Sequence, residues 1–412
     1  MAAPLPTRQA GLNRLEEFLP LVPAYARERG YDRPSRPTVS GLSPWLQRRL
    51  ISEEEVCAAV LRRHSWADAE KFVQEVCWRS YWKGWLEQHP EAWTRYLASV
   101  TRLRAAPPPD GYERAVAGRT GIPGFDDWAR QLVETGWLHN HARMWFASIW
   151  VFTLRLPWEL GADLFLRHLL DGDPASNTLS WRWVAGLHTA GKTYLAQAGN
   201  IATYSEGRYN PDGWIASEAT PLTESSPPPL QPLWTPAPAE PERDSGEGAE
   251  RAGRVGLWLH PDDLSVEQVD PAGLRPESIW AAWPASVDHR MRWSEPVTRF
   301  SQAALADGAA RGAARWDARV HAGRMDDGIG AAAVAWTRAE RLGTVVAERP
   351  AVGPWLDVAG EIERALVAAG VRLVWRRRAW DQRCFPLARR GFFSFWSEVA
   401  PGLRARAVSR AP

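Results

Sequence analysis

The chain has three cysteines in 412 residues, Cys57, Cys77 and Cys384, and none falls at a metal-ligand spacing. That argues against a disulfide scaffold, leaves too few thiolates for a four-cysteine iron–sulfur cluster, and fits a reducing compartment. No unbroken apolar run approaches the roughly 20 residues that cross a bilayer. The N-terminal MAAPLPTRQAGLNRLEEFL has neither the basic nor the apolar region of a secretory signal. A soluble, cytoplasmic, monomeric protein with no membrane partner and no metal is the expectation. Net charge is small as well, +2, so any nucleic-acid partner has to be held by a local basic patch and not by a global field.

Tryptophan is what the chain has in excess. Its 25 Trp outnumber the 11 Phe and 8 Tyr together, and an indole is hard to bury unless its N–H finds an acceptor. Packing accounts for most of them. With 45% apolar residues the length suits two cores better than one.

Residues 10–215 read as mainly helical. Pro44 after Ser43 suits a helix start, and Ser52 with Glu55 has the spacing of a capping box. Phe72, Glu75, Val76, Arg79 and Lys83 recur at three or four residues within a helix over 66–88. Further helices are expected from Asp126 or Asp127 to Gly136, over 139–156, and over 159–170, the last ending at Asp171. Residues 216–253 are Pro/Ser/Glu-rich and read as a linker or long surface loop. Beyond it, strands at 255–259, 278–283 and 371–375 alternate with helices at 297–316, 331–341 and 356–369. That pattern predicts a small α/β domain over 254–412 with a mainly parallel sheet. The expected fold class is therefore multidomain, α plus α/β.

Polar residues inside apolar stretches point to chemistry. Asp171-Gly-Asp173-Pro-Ala-Ser-Asn177, followed closely by Trp181, sets two acids, an amide and an indole side by side, which suits a buried redox cofactor. Arg143 lies in NHARMWFASIWVF, a segment too apolar for a free guanidinium, and Asp171 and Asp173 are its natural partners. A structural ion pair between helices and a cofactor contact explain that pairing about equally well. SGLSP (40–44) combines hydroxyls with a helix start, which describes a phosphate seat or an ordinary turn. His188, Lys192 and Arg208 occur with Tyr194 and Tyr204 in a turn-rich stretch that suits phosphate contacts and base stacking, or a solvated loop. Arg376, Arg377 and Arg378, with Arg383, Arg389 and Arg390, make the C-terminal part basic, which is compatible with nucleic acid or with solubility.

Five strings in order resemble the all-helical FAD-binding domain of the photolyase/cryptochrome superfamily over residues 12–215. They are Tyr25 upstream of SGLSP (40–44), FVQEVCWRSYW (72–82), GRTGIPGFD (118–126), TGWLHNHARM (135–144) and DGDPASNTLSWRW (171–183). The resemblance implies a folded-over FAD buried among helices, with Tyr25, Ser40, Leu42 and Ser43 as its phosphate and ribityl seat. Arg79, Asn140 and Arg143 would lie against the flavin, and Arg143 would pair with Asp171. Asp173 would approach the flavin edge, and Asn177 would face N5. Trp181 and Trp158 match the proximal and middle members of the family's electron-transfer chain. No Trp stands in 101–115 for the distal member, so Trp93, Trp145, Trp150 or a tyrosine is the expected substitute.

For the substrate side, the resemblance implies Glu75, Trp78, Asn140 and Met144 around a flipped-out pyrimidine dimer, with Lys192 and Arg208 on the DNA backbone. The leading expectation is a light-dependent photolyase acting on single- or double-stranded damaged DNA. The alternatives are a cryptochrome-like photoreceptor with a protein signalling partner, or a flavin redox protein without repair activity. Departures from the family pattern are Val39 before Ser40, Ser80 where many relatives carry Glu, and the loop after Trp183. The domain order differs too. Relatives place an antenna-type α/β domain before the helical one, so residues 254–400 either supply a permuted equivalent or are unrelated. No motif identifies an antenna chromophore.

Overall fold

The computed structural model describes residues 4–35, 39–189, 191–233, 253–268, 275–326 and 328–408. Its first part is all-helical: α1 (Arg8–Phe18), α2 (Val22–Glu28), α3 (Ser43–Gln47), α4 (Glu53–Arg63), α5 (Trp66–Gln88) and α6 (Glu91–Ala105). There follow α7 (Tyr112–Val116), α8 (Phe125–Thr135), α9 (Asn140–Ser148), α10 (Trp158–His168), α11 (Pro174–Ala185) and α12 (Ala198–Tyr204). Local chemistry sets the ends of these helices. Ser52 and Glu55 close the reciprocal capping box at the start of α4. Ser65 caps α5 by accepting from the Asp68 N–H. Asp173 caps α11 with Pro174 in the first turn. A single π-helical segment, Ile149–Thr153, extends α9, which explains why one long helix is legible over 139–156.

The second part carries a five-stranded, wholly parallel sheet: β1 (Arg254–Trp258), β2 (Ser278–Pro284), β3 (Arg319–Met325), β4 (Leu342–Glu348) and β5 (Arg372–Arg376), in the order β3-β2-β1-β4-β5. Between the strands run α13 (Ala285–Met291), α14 (Glu295–Trp316), α15 (Ile329–Glu340) and α16 (Pro354–Ala368). The order reverses between β1 and β4, the switch point of a doubly wound sheet. Two strands escaped the sequence reading for physical reasons. The edge strand β3 exposes most of its residues, so it lacks the apolar run of a buried strand. β4 follows α15 directly through Arg341 in the left-handed conformation, φ 53°, with no turn-rich stretch to announce it.

The chain then returns to the helical part. Here α17 (Ala379–Cys384), a 3-10 turn (Phe385–Leu387) and α18 (Phe392–Val408) pack on α5 and α4. Gly84 lets them approach, because a Cβ there would lie 2.8 Å from the Phe385 Cα. Ion pairs tie the same surfaces: Arg49 with Asp381 at 2.6 Å, and Arg377 with Glu87 at 2.7 Å. Residues from both parts belong to one buried apolar cluster. Residues 222–233 run against the helices, with the Leu222 N–H donating to the Ala185 carbonyl at 2.9 Å and the Gln231 N–H to the Gln88 carbonyl at 2.8 Å. Residues 234–252, half of the Pro/Ser/Glu-rich stretch, lie outside the described residues. Among the described helices none is long and apolar enough to cross a membrane.

Candidate cofactor site

α11 presents its N-terminus toward α5 and α9, and there the two acids of the DGD string are buried. The Nη2 of Arg143 reaches both carboxylate oxygens of Asp171 at 3.1 Å, while its Nε donates to the Leu138 carbonyl. Burial works to raise the Asp171 carboxyl, but Arg143, the Ser43 hydroxyl and Arg79 outweigh it and hold the group below its ordinary value. Asp173 accepts from the Ser176 N–H at 2.6 Å and faces Arg79 at 3.4 Å and Lys83 at 3.5 Å. Burial pushes its carboxyl up too, and Lys83 and Arg79 bring it below the ordinary value. Both acids are thus anionic at neutral pH, each held by cations from another helix.

The remaining expected cofactor residues gather on the elements around this centre. Arg79 also donates to Gln47 Oε1 at 2.9 Å. In the SGLSP turn Leu42 is buried and its N–H lies 3.4 Å from the Ser40 hydroxyl. Arg14 of α1 braces the same turn through the Ser40 and Val39 carbonyls. Tyr25 of α2 packs edge-on against Phe18 and Phe72, and burial followed by Glu75 raises its phenol. The Asn177 amide donates to the Ala162 carbonyl at 2.8 Å. Asn140 is exposed beside Met144, 3.8 Å from its sulfur.

Three charged residues of this centre went unread in the sequence. Lys83, 3% exposed on its side chain, sits one turn beyond Arg79 on α5. A lysine inside that helical repeat was the available signal. Arg48 is buried among Asp262, Asp173, Arg79 and Asp171, and burial lowers its guanidinium. Asp262 comes from the loop after β1, and burial lifts its carboxyl despite Lys83, His260 and Arg48. Nothing local in the sequence ties it to the helical part.

The substrate-side residues have other partners in this structure. Glu75 pairs with Arg29 at 2.7 Å and with Lys71 at 3.2 Å. Trp78 is stacked on Phe392 of α18, ring centroids 3.7 Å apart. Ser80 is buried and accepts from the Trp380 indole N–H at 2.8 Å. Lys192 is exposed, and Arg208 pairs with Asp32 at 3.1 Å. In the basic C-terminal segment, Arg377 and Arg378 are spent on Glu87 and Asp263 at the contact between the two parts.

Trp181 is buried with its ring edge-on to Trp150 and Phe165. Trp158 contacts Tyr96, centroids 5.8 Å apart, and Trp93 follows at 5.5 Å from Tyr96. Trp145 packs on Trp128 and donates to Asn200. A cavity of about 1260 Å³ opens beside Tyr96, Trp158 and Arg182 and is walled by residues 218–226. It is separate from the acid pair.

The donor set fits the group that the resemblance implies. A flavin edge offers alternating donors and acceptors, and this centre sets the carboxylates of Asp171, Asp173 and Asp262 among the guanidinium groups of Arg48, Arg79 and Arg143, the Lys83 ammonium and the Gln47 amide. The Arg48 Nε is buried there without a hydrogen-bond partner, which fits a site that takes a polar ligand.

These features define a helical nucleotide-cofactor domain. Residues 72–218 match the family described as "FAD binding domain of DNA photolyase". The chain is 37% identical over 163 residues to a deoxyribodipyrimidine photo-lyase of Streptomyces griseus, covering 39% of this chain and 35% of that protein. It is 34% identical over 217 residues to the Thermus thermophilus enzyme of the same name, covering 52% and 50%. A crystal structure of a bacterial class III photolyase from Agrobacterium tumefaciens aligns with TM-score 0.40 and 28% identity over 48% of this chain and 43% of that one. Residues 72–218 of the helical part are accordingly similar to the FAD-binding domain of the photolyase family. The chain spans between about a third and a half of the length of these two curated relatives.

Proposed function

We propose that this chain is a light-dependent flavoprotein that holds FAD at the Asp171–Asp173 centre and acts on pyrimidine dimers in DNA. The observation that carries the reading is the pair of buried acids, Asp171 held by Arg143 and Asp173 by Arg79 and Lys83. Such charges are costly to bury unless paired, and a set of them with the orphaned Arg48 Nε nearby favours a bound polar group. FAD would supply the light absorption and the one-electron chemistry that opens a cyclobutane ring without net oxidation. The chain's own part is binding and orientation. Tyr25, Ser40, Leu42 and Ser43 seat the nucleotide, and Arg79, Asn140, Arg143, Asp171, Asp173 and Asn177 fix the flavin. Trp181 is the nearest electron donor, and the resemblance places Trp158 next to it in the family's chain. Glu75, Trp78, Asn140 and Met144 would contact a flipped-out dimer, and Lys192 and Arg208 the DNA backbone.

A second reading is favoured by one observation. One face of Trp78 is covered by Phe392, which suits a photoreceptor or redox protein that performs no repair. The parallel sheet with its switch at β1 and β4 supports a further reading of residues 254–408 as an antenna-type domain placed after the helical one.

The test is anaerobic incubation of the photoreduced protein with dimer-containing single- and double-stranded DNA, in blue light and in darkness. Light-dependent loss of dimers is the expected result. DNA binding without loss, in protein carrying fully reduced FAD, selects the second reading.

A further inference from the structure

Trp181 has two aromatic paths leading away from it, and only one is continuous in ring contacts. Among the described residues its ring neighbours are Phe146, Phe165 and Trp150, the last with centroids 6.3 Å apart. Trp150 in turn meets Tyr112 edge-on at 5.9 Å. Trp158 stands on the other path, whose ring contact is with Tyr96.

We propose that the oxidising equivalent left on Trp181 by flavin photoreduction exits through Trp150 to Tyr112, which serves as the terminal donor of this chain. The proposal rests on the reading that FAD is bound beside Trp181.

Geometry favours this path. Trp150 lies in the π-helical segment, an irregularity that often marks a functional position because it re-aims the side chains around it. Its N–H is fixed on the Pro157 carbonyl at 2.9 Å. Gly161 holds the junction open, since a Cβ there would come within 2.3 Å of the Trp181 ring and 3.0 Å of the Trp150 Nε1. Trp158 instead carries the Arg182 guanidinium 5.9 Å from its ring centroid, and Glu224 holds Arg182 in place. Tyr112 is half-buried at the start of α7, so it combines contact with Trp150 and access to water. It also stands in the 101–115 segment that lacks a tryptophan.

The electron count closes. Trp181 gives one electron to the excited oxidised flavin, Trp150 refills Trp181, and Tyr112 refills Trp150 while releasing its phenolic proton to water. A soluble thiol then returns one electron and one proton to Tyr112.

The experiment is time-resolved absorption and electron paramagnetic resonance on the full chain, wild type and Tyr112→Phe, Trp150→Phe and Tyr96→Phe, with FAD content measured first. The expected result is a neutral tyrosyl signal in the wild type and in Tyr96→Phe, its loss in Tyr112→Phe and Trp150→Phe, and slower formation in deuterated water. Tyr112 is the decisive position, because its half-buried ring can be changed without opening the core around Trp150. Loss of the signal in Tyr96→Phe with retention in Tyr112→Phe would move the exit to Trp158 and overturn the proposal. A wild type that holds FAD but forms no tyrosyl species overturns it alone, whereas a chain that takes up no FAD fails the cofactor reading and the relay together.

Discussion

Phe392 lies flat on Trp78, their ring centroids 3.7 Å apart and their planes 6° from parallel. The two residues come from opposite ends of the chain, and their stack joins the C-terminal helix α18 to the middle of α5. Around it Trp396 stacks on Trp66, the Tyr81 hydroxyl donates to the Arg390 carbonyl, and Trp380 donates to Ser80. An indole expected to face a substrate is thereby part of the contact between the two parts of the protein.

Phe392→Ala removes the covering ring. Truncating a buried Phe costs about 3–5 kcal/mol, so the urea midpoint is expected to drop. If Trp78 is a dimer platform, affinity for dimer-containing DNA rises in the same variant. A stability loss with unchanged DNA affinity would mark the stack as purely structural.

Arg143→Ala leaves Asp171 buried beside Ser43 without its main cation. Breaking a buried pair in this way costs about 3–5 kcal/mol, and the partly exposed Arg143 places the expectation at the lower end. FAD content per folded chain should fall, while Arg143→Lys should retain part of it as a point charge. Undiminished FAD in a stably folded Arg143→Ala protein would contradict the role given to the pair.

Gly161→Ala drives a methyl into the Trp181 ring, with 2.3 Å of clearance where contact needs well over 3 Å. Overpacking of this kind costs about 1–3 kcal/mol, and displacement of Trp181 should slow photoreduction of oxidised FAD. Transient absorption reads this directly, with unchanged kinetics as the contrary result.

Stability should also fall on mild acidification. Burial depresses His139 and His188 to about 3 and His168 to about 4, from an ordinary 6.5. A depressed histidine takes up its proton in the unfolded chain first, so its contribution is full above 6.5 and erodes as pH falls toward the folded value. Each adds a slope of at most ~1.4 kcal/mol per pH unit. Glu348, lifted by burial to about 6, works the opposite way below that pH. Urea unfolding at about pH 7.5 and about pH 5 should show the net loss. His188→Gln should reduce the slope by removing a titrating ring now enclosed by Tyr81, Trp82 and Trp85.

The helical part was legible because its information is local. Caps such as Ser52 with Glu55, the helical repeat from Phe72 to Lys83, and a guanidinium in an apolar helix each carry their own physical reason, and Arg143 does meet Asp171. What the sequence did not disclose is long-range. Asp262 approaches Lys83 and Asp173 only because the loop after β1 reaches the helical part, where the Leu264 N–H donates to the Arg48 carbonyl, and Phe392 finds Trp78 across most of the chain. Edge strand β3 and strand β4 were hidden by exposure and by the short link after α15. The surplus arginines looked like a nucleic-acid face, yet Arg377 ties the two parts together through Glu87 and Arg378 is held by Asp263, a use that basic composition alone does not distinguish.

The central claim is that the Asp171–Asp173 centre binds FAD. Its most direct measurement is the FAD-to-protein ratio of the purified full chain, with equilibrium binding of FAD to the wild type and to Asp171→Asn and Asp173→Asn. The account predicts about one FAD per chain in the wild type, consistent with a single built site, and weakened binding in both folded variants. A folded wild type that takes up no FAD, or variants that bind it as tightly as the wild type, would contradict it.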